Sequence, residues 1–212
     1  MKYRHFFWDF DGTLYDTYPR ITRAFLRGLL DWGIQADAKE VYALNKRTLE
    51  ECARVFSARH PGVSAEEILT SYHAHAEEEE IGEVRIYPGA RAMLEAVVRR
   101  GGQNYLYTHR GESVFKFLRR DGLEGLFRDR VTGLDDFPRK PAPDALLHLM
   151  GKWGLDKGDC VMLGDRDIDL DAGKNAGMAC ALFDPEGFYP DYDADWRFQD
   201  METLRNTLVT EE

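Results

Sequence analysis

Two carboxylates, Asp9 and Asp11, stand two residues apart in the stretch Phe6-Phe7-Trp8-Asp9-Phe10-Asp11-Gly12-Thr13-Leu14. The apolar part of that stretch reads as a buried strand, and Gly12-Thr13 as the turn that follows it. An acid leaving a buried strand gives up hydration and needs a cation in exchange. A role confined to capping the turn would leave that cost uncompensated. The partner such a pair calls for is a metal with a phosphate. In that chemistry Asp9 attacks phosphorus and becomes an aspartyl-phosphate. Asp11 protonates the leaving oxygen and later activates the hydrolytic water.

Three further places bring polar residues to the end of a strand or to the start of a helix. Thr108 closes the run Asn104–Tyr107, Lys140 precedes Pro141-Ala142-Pro143, and Asp165 follows the apolar run Cys160–Gly164. Asp169 lies four residues beyond Asp165, on the same face of the helix that starts there. In an open parallel sheet, ligands bind outside the carboxyl ends of the strands. Four such ends on one edge say more than any one of them. His109 and Arg110 come directly after Thr108 and are placed at the mouth of the site, against a plain reading as surface loop residues. His73 and His75, two apart on a helix, face different ways and make no zinc site.

The elements that must carry these residues alternate from Pro88 onward. Helices are predicted from Pro88-Gly89 through Val98, over 112–120, over 143–150, from Asp165 to Asn175 and over 202–208. Strands are predicted over 3–8, 104–108, 130–133, 160–163, 179–183 and 196–198, and 186–195 is predicted as a loop. Strand–helix alternation with short loops points to an α/β fold with a parallel sheet covered on both faces. Between the first strand and that alternation the pattern is helical. A helix from Asp16 or Thr17 to Trp32 shows Ile21, Phe25, Leu29 and Trp32 on one face. Two short helices follow, interrupted near Asn45-Lys46-Arg47. Ser64-Ala65-Glu66-Glu67 is a capping box opening another. The acidic run Glu77–Glu80 is expected to end that helix or to face solvent. The chain thus divides into a core of residues 1–16 and 84–212 and a helical insertion at 17–83.

Bulk properties narrow the function. The chain has 212 residues, 43% hydrophobic and 31% charged, as in ordinary globular proteins. No apolar stretch nears the ~20 residues that span a bilayer, and the N-terminus lacks a signal-peptide pattern. A cytoplasmic protein without membrane partner is expected. A net charge of −10 with no basic block argues against nucleic acid. An anionic substrate must therefore be drawn by a local cluster of cations. Cys52, Cys160 and Cys180 are odd in number and widely spaced, hence free thiols rather than a disulfide framework.

Asp9-Phe10-Asp11-Gly12-Thr13 resembles the first motif of the haloacid dehalogenase superfamily in its phosphatase form. Thr108, Lys140-Pro141-Ala142-Pro143 and Gly164-Asp165-Arg166-Asp167-Ile168-Asp169 resemble its second, third and fourth motifs, in family order. The resemblance implies a Rossmann-like core with a small α-helical cap, the insertion, which closes over the substrate and selects it. It supports Asp9 as nucleophile and Asp11 as acid/base, since members that cleave carbon–halogen bonds lack the second acid. Thr108 would hydrogen-bond the phosphoryl group and Lys140 would neutralise its charge. The implied metal is Mg²⁺, held by the Asp9 carboxylate, the Asp11 main-chain carbonyl and the Asp165 carboxylate. Asp169 would orient a metal-bound water or Lys140 instead of touching the ion. Asn often follows the second motif's Ser or Thr; here His109 stands in that place. Thr108, His109, Arg110 and Lys140 are the substrate-binding candidates of the core, and Lys46 and Arg47 those of the cap. The activity implied is a Mg²⁺-dependent phosphatase of small phosphorylated metabolites, similar to phosphoglycolate phosphatases. A phosphomutase similar to β-phosphoglucomutase is the alternative, and a non-catalytic binding protein has less in its favour. The protein is expected to be a monomer or weak homodimer whose partner is a small phosphate ester.

Overall fold

A computed structural model of the chain describes residues 1–78 and 83–210. The chain separates into two compact units, one of Met1–Tyr15 and Ile86–Glu212, the other of Asp16–Arg85. In chain order the elements are β1 (His5–Trp8), β2 (Tyr15–Asp16), α1 (Tyr18–Leu30), α2 (Ala38–Arg47), α3 (Leu49–Arg59), α4 (Ala65–Glu78) and β3 (Arg85–Ile86). There follow α5 (Ala90–Arg99), β4 (Gln103–Tyr107), α6 (Ser113–Arg120), β5 (Phe127–Val131), α7 (Asp144–Trp153), β6 (Cys160–Gly164), α8 (Asp167–Ala176), β7 (Ala179–Phe183), β8 (Trp196–Phe198) and α9 (Met201–Leu208). The acidic run Glu77–Glu80 passes outside the described residues.

The first unit is a six-stranded sheet in the order β5-β4-β1-β6-β7-β8. Every strand pairing in it is parallel. Strand order reverses at β1, which lies between β4 and β6, so the crevice for a ligand opens beyond the end of β1. Its side chains explain the central place: Phe6, Phe7 and Trp8 are wholly buried, as a strand covered on both faces requires. Register then fixes which residues meet at the edge. Trp8 pairs with Leu106 of β4 and with Leu163 of β6. The residues next in line, Asp9, Tyr107-Thr108 and Gly164-Asp165, consequently emerge at the same level. One core cluster joins Phe7, Tyr105, Tyr107 and Met162 of the sheet to Leu146 and Leu149 of α7 and Leu170 of α8. The three cysteines are buried free thiols.

β5 starts at Phe127, earlier than the predicted 130–133. Its side chains alternate between half-buried and exposed before Val131, the pattern of an edge strand. The short strands β2 and β3, where the chain passes between the units, pair as a separate two-stranded sheet that the sequence pattern does not show.

The second unit is built from α1 to α4 around Phe25, Leu29, Val41, Cys52, Phe56, Ile68 and Tyr72. Pro19 stands in the first turn of α1, where its missing N–H costs nothing. The helix ends at Leu30, before Trp32. Trp32 does not complete the buried face; it is 42% exposed and donates its ring N–H to Ser71. The interruption between α2 and α3 falls at Thr48, later than the predicted Asn45–Arg47, because the Thr48 hydroxyl caps α3 by accepting the Glu51 N–H at 2.9 Å. Asn45, Lys46 and Arg47 belong to the last turn of α2. The Ser64–Glu67 capping box is present in both directions, at 2.8 and 3.2 Å.

Candidate active site

At the edge of the sheet the cluster centres on a buried lysine. The Lys140 side chain is fully enclosed, and its ammonium donates to three acceptors: Asp9 Oδ1 at 2.5 Å, Asp169 Oδ1 at 2.8 Å and the Tyr107 carbonyl at 2.9 Å. Three protons meet three acceptors from three separate elements, so the ammonium is fully satisfied without water.

Asp169 reaches this point because α8 starts tightly against the end of β6. A Cβ on Gly164 would lie 2.2 Å from the Asp169 Cβ, so only glycine allows the approach. The other carboxylate oxygen of Asp169, Oδ2, accepts the Arg166 N–H at 3.1 Å and caps α8. Both of its oxygens are thus engaged by the protein. Asp9 differs: Oδ1 is held by Lys140, while Oδ2 is buried with no hydrogen-bond partner. Asp165 is fully buried beside it, and its Oδ1 accepts the Thr13 hydroxyl at 3.4 Å. Carboxylate oxygens of Asp9, Asp165 and Asp169 lie within 4.8 Å of one another. Three buried acids around one lysine leave excess negative charge, and hard oxygen donors are what a small divalent cation takes. The residues present therefore fit such an ion.

The electrostatics follow from this packing. Burial pushes the Asp9 carboxyl up, to about 8, with the facing Asp169 adding to the effect and Lys140 opposing it. Burial would push Asp169 up as well, yet Lys140 and Arg166 outweigh it and hold this carboxyl below its ordinary value. Burial alone would lower Lys140, but the two carboxylates Asp169 and Asp9 win and raise it. Asp169 and Lys140 form the settled ion pair, and Asp9 is the strained member.

Asp11 is a few ångströms of chain away and bound quite differently. Arg110 Nε donates to both of its carboxylate oxygens at 3.1 Å, and Nη2 adds a further bond to Oδ1. Arg110 is itself fixed by Ser113 Oγ at 3.2 Å and packs over Phe10 and Phe117, 5.5 and 5.4 Å from the ring centres. The Thr108 side chain is buried; its oxygen accepts the Arg110 N–H at 3.1 Å, which leaves the hydroxyl proton to donate elsewhere. His109 accepts the main-chain N–H of Lys140 on Nε2 at 2.9 Å. Burial, then Lys140 and Arg139, push its imidazole down to about 3.

The structure thus brings Asp9, Lys140, Asp165 and Asp169 into one cluster, with Asp11, Thr108, His109 and Arg110 tied to the same strand ends. Arg47 belongs to the second unit. It is exposed and pairs with Glu51 one helical turn on, at 3.1 Å. Its neighbour Lys46 is buried there, its ammonium 4.4 Å from the Tyr18 ring centre. Beside it Asn45 is buried with neither amide atom hydrogen-bonded. Sequence reasoning missed the Thr13 hydroxyl, the Tyr107 carbonyl and the N-terminal amide of α8 as members of the site. Thr13 had a signal, since it stands two residues after Asp11 in the turn that follows the acidic pair; a carbonyl or an amide carries none.

With the geometry described, comparison with known proteins places it. A family model described as "Haloacid dehalogenase-like hydrolase" matches residues 6–183. "Phosphoglycolate phosphatase 1" of Pseudomonas aeruginosa is 30% identical over 182 residues, covering 82% of this chain and 66% of that protein. "Pyrophosphatase PpaX" of Halalkalibacterium halodurans is 27% identical over 206 residues, 92% of each chain. Among solved structures, a hydrolase from Streptococcus pneumoniae TIGR4 superposes with a TM-score of 0.69 at 29% identity, covering 99% of this chain and 100% of the other.

Proposed function

The chain belongs to the haloacid dehalogenase-like hydrolases, and from that premise we propose that it is a phosphatase of small phosphorylated metabolites acting through an aspartyl-phosphate on Asp9. The observation that carries this reading is the Asp9 carboxylate itself. One oxygen is clamped by Lys140 at 2.5 Å and the other is buried and unbonded.

In the proposed reaction an Asp9 oxygen attacks phosphorus while the ester oxygen leaves with a proton from Asp11. Water, deprotonated by Asp11, then attacks the phosphoryl group and returns Asp9 as a carboxylate. Lys140 holds Asp9 in place and offsets charge on the phosphoryl oxygens. The Thr108 hydroxyl, with its proton spare, donates to one of those oxygens. Asp169 keeps Lys140 charged and aimed. Arg110 holds Asp11 until the substrate phosphate competes for the guanidinium. Mg²⁺ is the proposed cofactor, with Asp9 and Asp165 carboxylates and the Asp11 carbonyl as its holders; when bound it neutralises Asp9 and the phosphate. The names of the relatives suggest 2-phosphoglycolate and pyrophosphate as first substrates to try.

The test is a panel of phosphate esters with Mg²⁺, read as inorganic phosphate. Turnover of at least one ester is expected, abolished in Asp9→Asn, with labelled phosphate trapped on Asp9 after acid quench. No turnover of any ester, or turnover kept in Asp9→Asn, refutes the reading. An isomeric sugar phosphate in place of free phosphate would establish the phosphomutase instead.

A further inference from the structure

We propose that His109 is a positioning residue for Lys140: its Nε2 lone pair holds the Lys140 main-chain N–H and so fixes the lysine loop to the end of β4. The inference rests on the phosphatase reading for its kinetic consequence, though not for the bond itself.

Lys140 lies in an irregular loop, between β5 and α7, where no ladder or helix supplies an acceptor for its N–H. The residue is buried, so an unpaired amide there would cost about 1–3 kcal/mol. The acceptor comes from another element 31 residues earlier, His109 Nε2 at 2.9 Å. That contact also fixes the tautomer. A neutral imidazole has one lone-pair nitrogen, and Arg139 Nε approaches the other, Nδ1, only to 3.4 Å. The shorter contact takes the lone pair, so the ring proton sits on Nδ1.

The ring cannot drift from this position. Tyr107 meets it edge-on, with ring centres 6.0 Å apart. The His109 carbonyl lies where a Cβ on residue 133 would be 2.4 Å away, so Gly133 lets the next loop close over it, and Gly133 N–H bonds the Arg110 carbonyl at 2.9 Å. On the far side of the lysine, Asn175 Nδ2 donates to the Pro141 carbonyl at 3.0 Å. Lys140 is thereby held at both ends: its main chain by His109, its ammonium by Asp9, Asp169 and the Tyr107 carbonyl. The side chain after Thr108 is turned to the lysine loop, and this replaces the expectation that His109 touches substrate. A carboxamide of suitable length could make the same bond, which is a lever for the test.

The experiment has two readouts. On the ¹⁵N-labelled wild type, a through-hydrogen-bond N–N coupling is sought between the Lys140 amide and His109 Nε2. Its presence is expected, and its absence overturns the proposal without any variant having to fold. Steady-state kinetics with p-nitrophenyl phosphate and Mg²⁺ then compare wild type, His109→Phe, His109→Leu and His109→Gln. Loss of the acceptor in whichever of the Phe and Leu variants folds should lower kcat by ~10- to 100-fold with KM within about twofold. Gln, an acceptor of similar reach, should recover kcat to within about fivefold of wild type. Unchanged kcat in the apolar variants, a rise in KM with kcat kept, or a Gln variant as slow as the apolar ones each overturns the proposal. A wild type that hydrolyses no phosphate ester would refute the phosphatase reading, and the coupling alone would then decide the His109–Lys140 bond.

Discussion

Replacing Lys140 with Met keeps the stem of the side chain as far as Cε and removes the ammonium, and the consequence can be worked from the contacts. The ammonium is the shared partner of Asp9 and Asp169, both fully enclosed with it. Removing one member of a buried ion pair costs about 3–5 kcal/mol, because the charge left behind has no water to turn to. An independent ceiling comes from protonation. At pH 7 a carboxyl of ordinary pKa near 3.8 can be neutralised for roughly 4 kcal/mol; Asp9, already pushed up to about 8, holds its proton there for the most part, so the stranded charge is that of Asp169. The two figures agree, and in a chain of this size they correspond to a fall in Tm of roughly 6–20 °C. The assay is chemical or thermal unfolding in the absence of divalent metal. Its pH dependence separates lost charge from lost packing. In the variant both acids have folded-state pKa values above their unfolded ones, so the folded state binds more protons in between, and stability falls as pH rises through that window. The deficit relative to wild type should therefore be large at pH 7 and shrink towards pH 4. A loss below about 1 kcal/mol, the scale of a surface pair, or a deficit independent of pH, would refute the view of Lys140 as the main compensating cation of this desolvated cluster, with Arg166 in a lesser part.

Three other perturbations address separate parts of the arrangement. Asp11→Asn should reduce turnover by ~10²- to 10⁴-fold, the worth of a general acid/base, while Mg²⁺ affinity measured by calorimetry stays within about twofold of wild type, since the proposed ligand there is the main-chain carbonyl. Arg47→Ala should leave kcat/KM unchanged within about twofold for every accepted ester, because an exposed Arg–Glu pair of this kind contributes at most ~1 kcal/mol; Lys46→Ala, which empties a buried position over the Tyr18 ring, should lower it. His109 should shape the acid limb of stability. Its folded-state value of about 3 lies below the ordinary 6.5, driven by burial and by Lys140, Arg139 and Arg166 against the opposing Asp169. The unfolded chain therefore takes up a proton as pH falls through 6.5 and the folded one does not, so stability present above that pH is lost progressively towards pH 3. His109→Gln should flatten that slope in a denaturation series, and an unaltered slope would assign it to other groups.

What could be read from the chain, and what could not, divides along a physical line. β1 was legible because Phe6, Phe7 and Trp8 admit no half-exposed element, and β6 because Cys160–Gly164 is a short apolar run stopped by an acid. The polar residue at each strand end was legible for the same reason: a carboxylate or a hydroxyl where burial stops is conspicuous in type. β2 and β3, two residues each, have no period to detect, and the break between α2 and α3 was misplaced because Lys46 and Arg47 suggest solvent. Lys46 is in fact buried, its ammonium over an aromatic ring, and a cation in such a place cannot be told from a surface one by its neighbours in sequence.

The pairings were the part out of reach. The bonds that join the site span 29, 31, 99 and 131 residues of sequence. None of them is a matter of residue type alone. Lys140 before a Pro-x-Pro run is recognisable as a cation near a phosphate; that its amide needs an acceptor, and that a histidine at the end of the neighbouring strand β4 provides one, depends on the register of β4 against its neighbours. The same holds for Arg110, which could as well have faced solvent as gripped Asp11. Chemistry therefore stands in the sequence as a set of separate groups, whereas orientation belongs to contacts between elements. An exchange at His109 or Arg110 is accordingly expected to change how fast the reaction runs, and an exchange at Asp9 whether it runs at all.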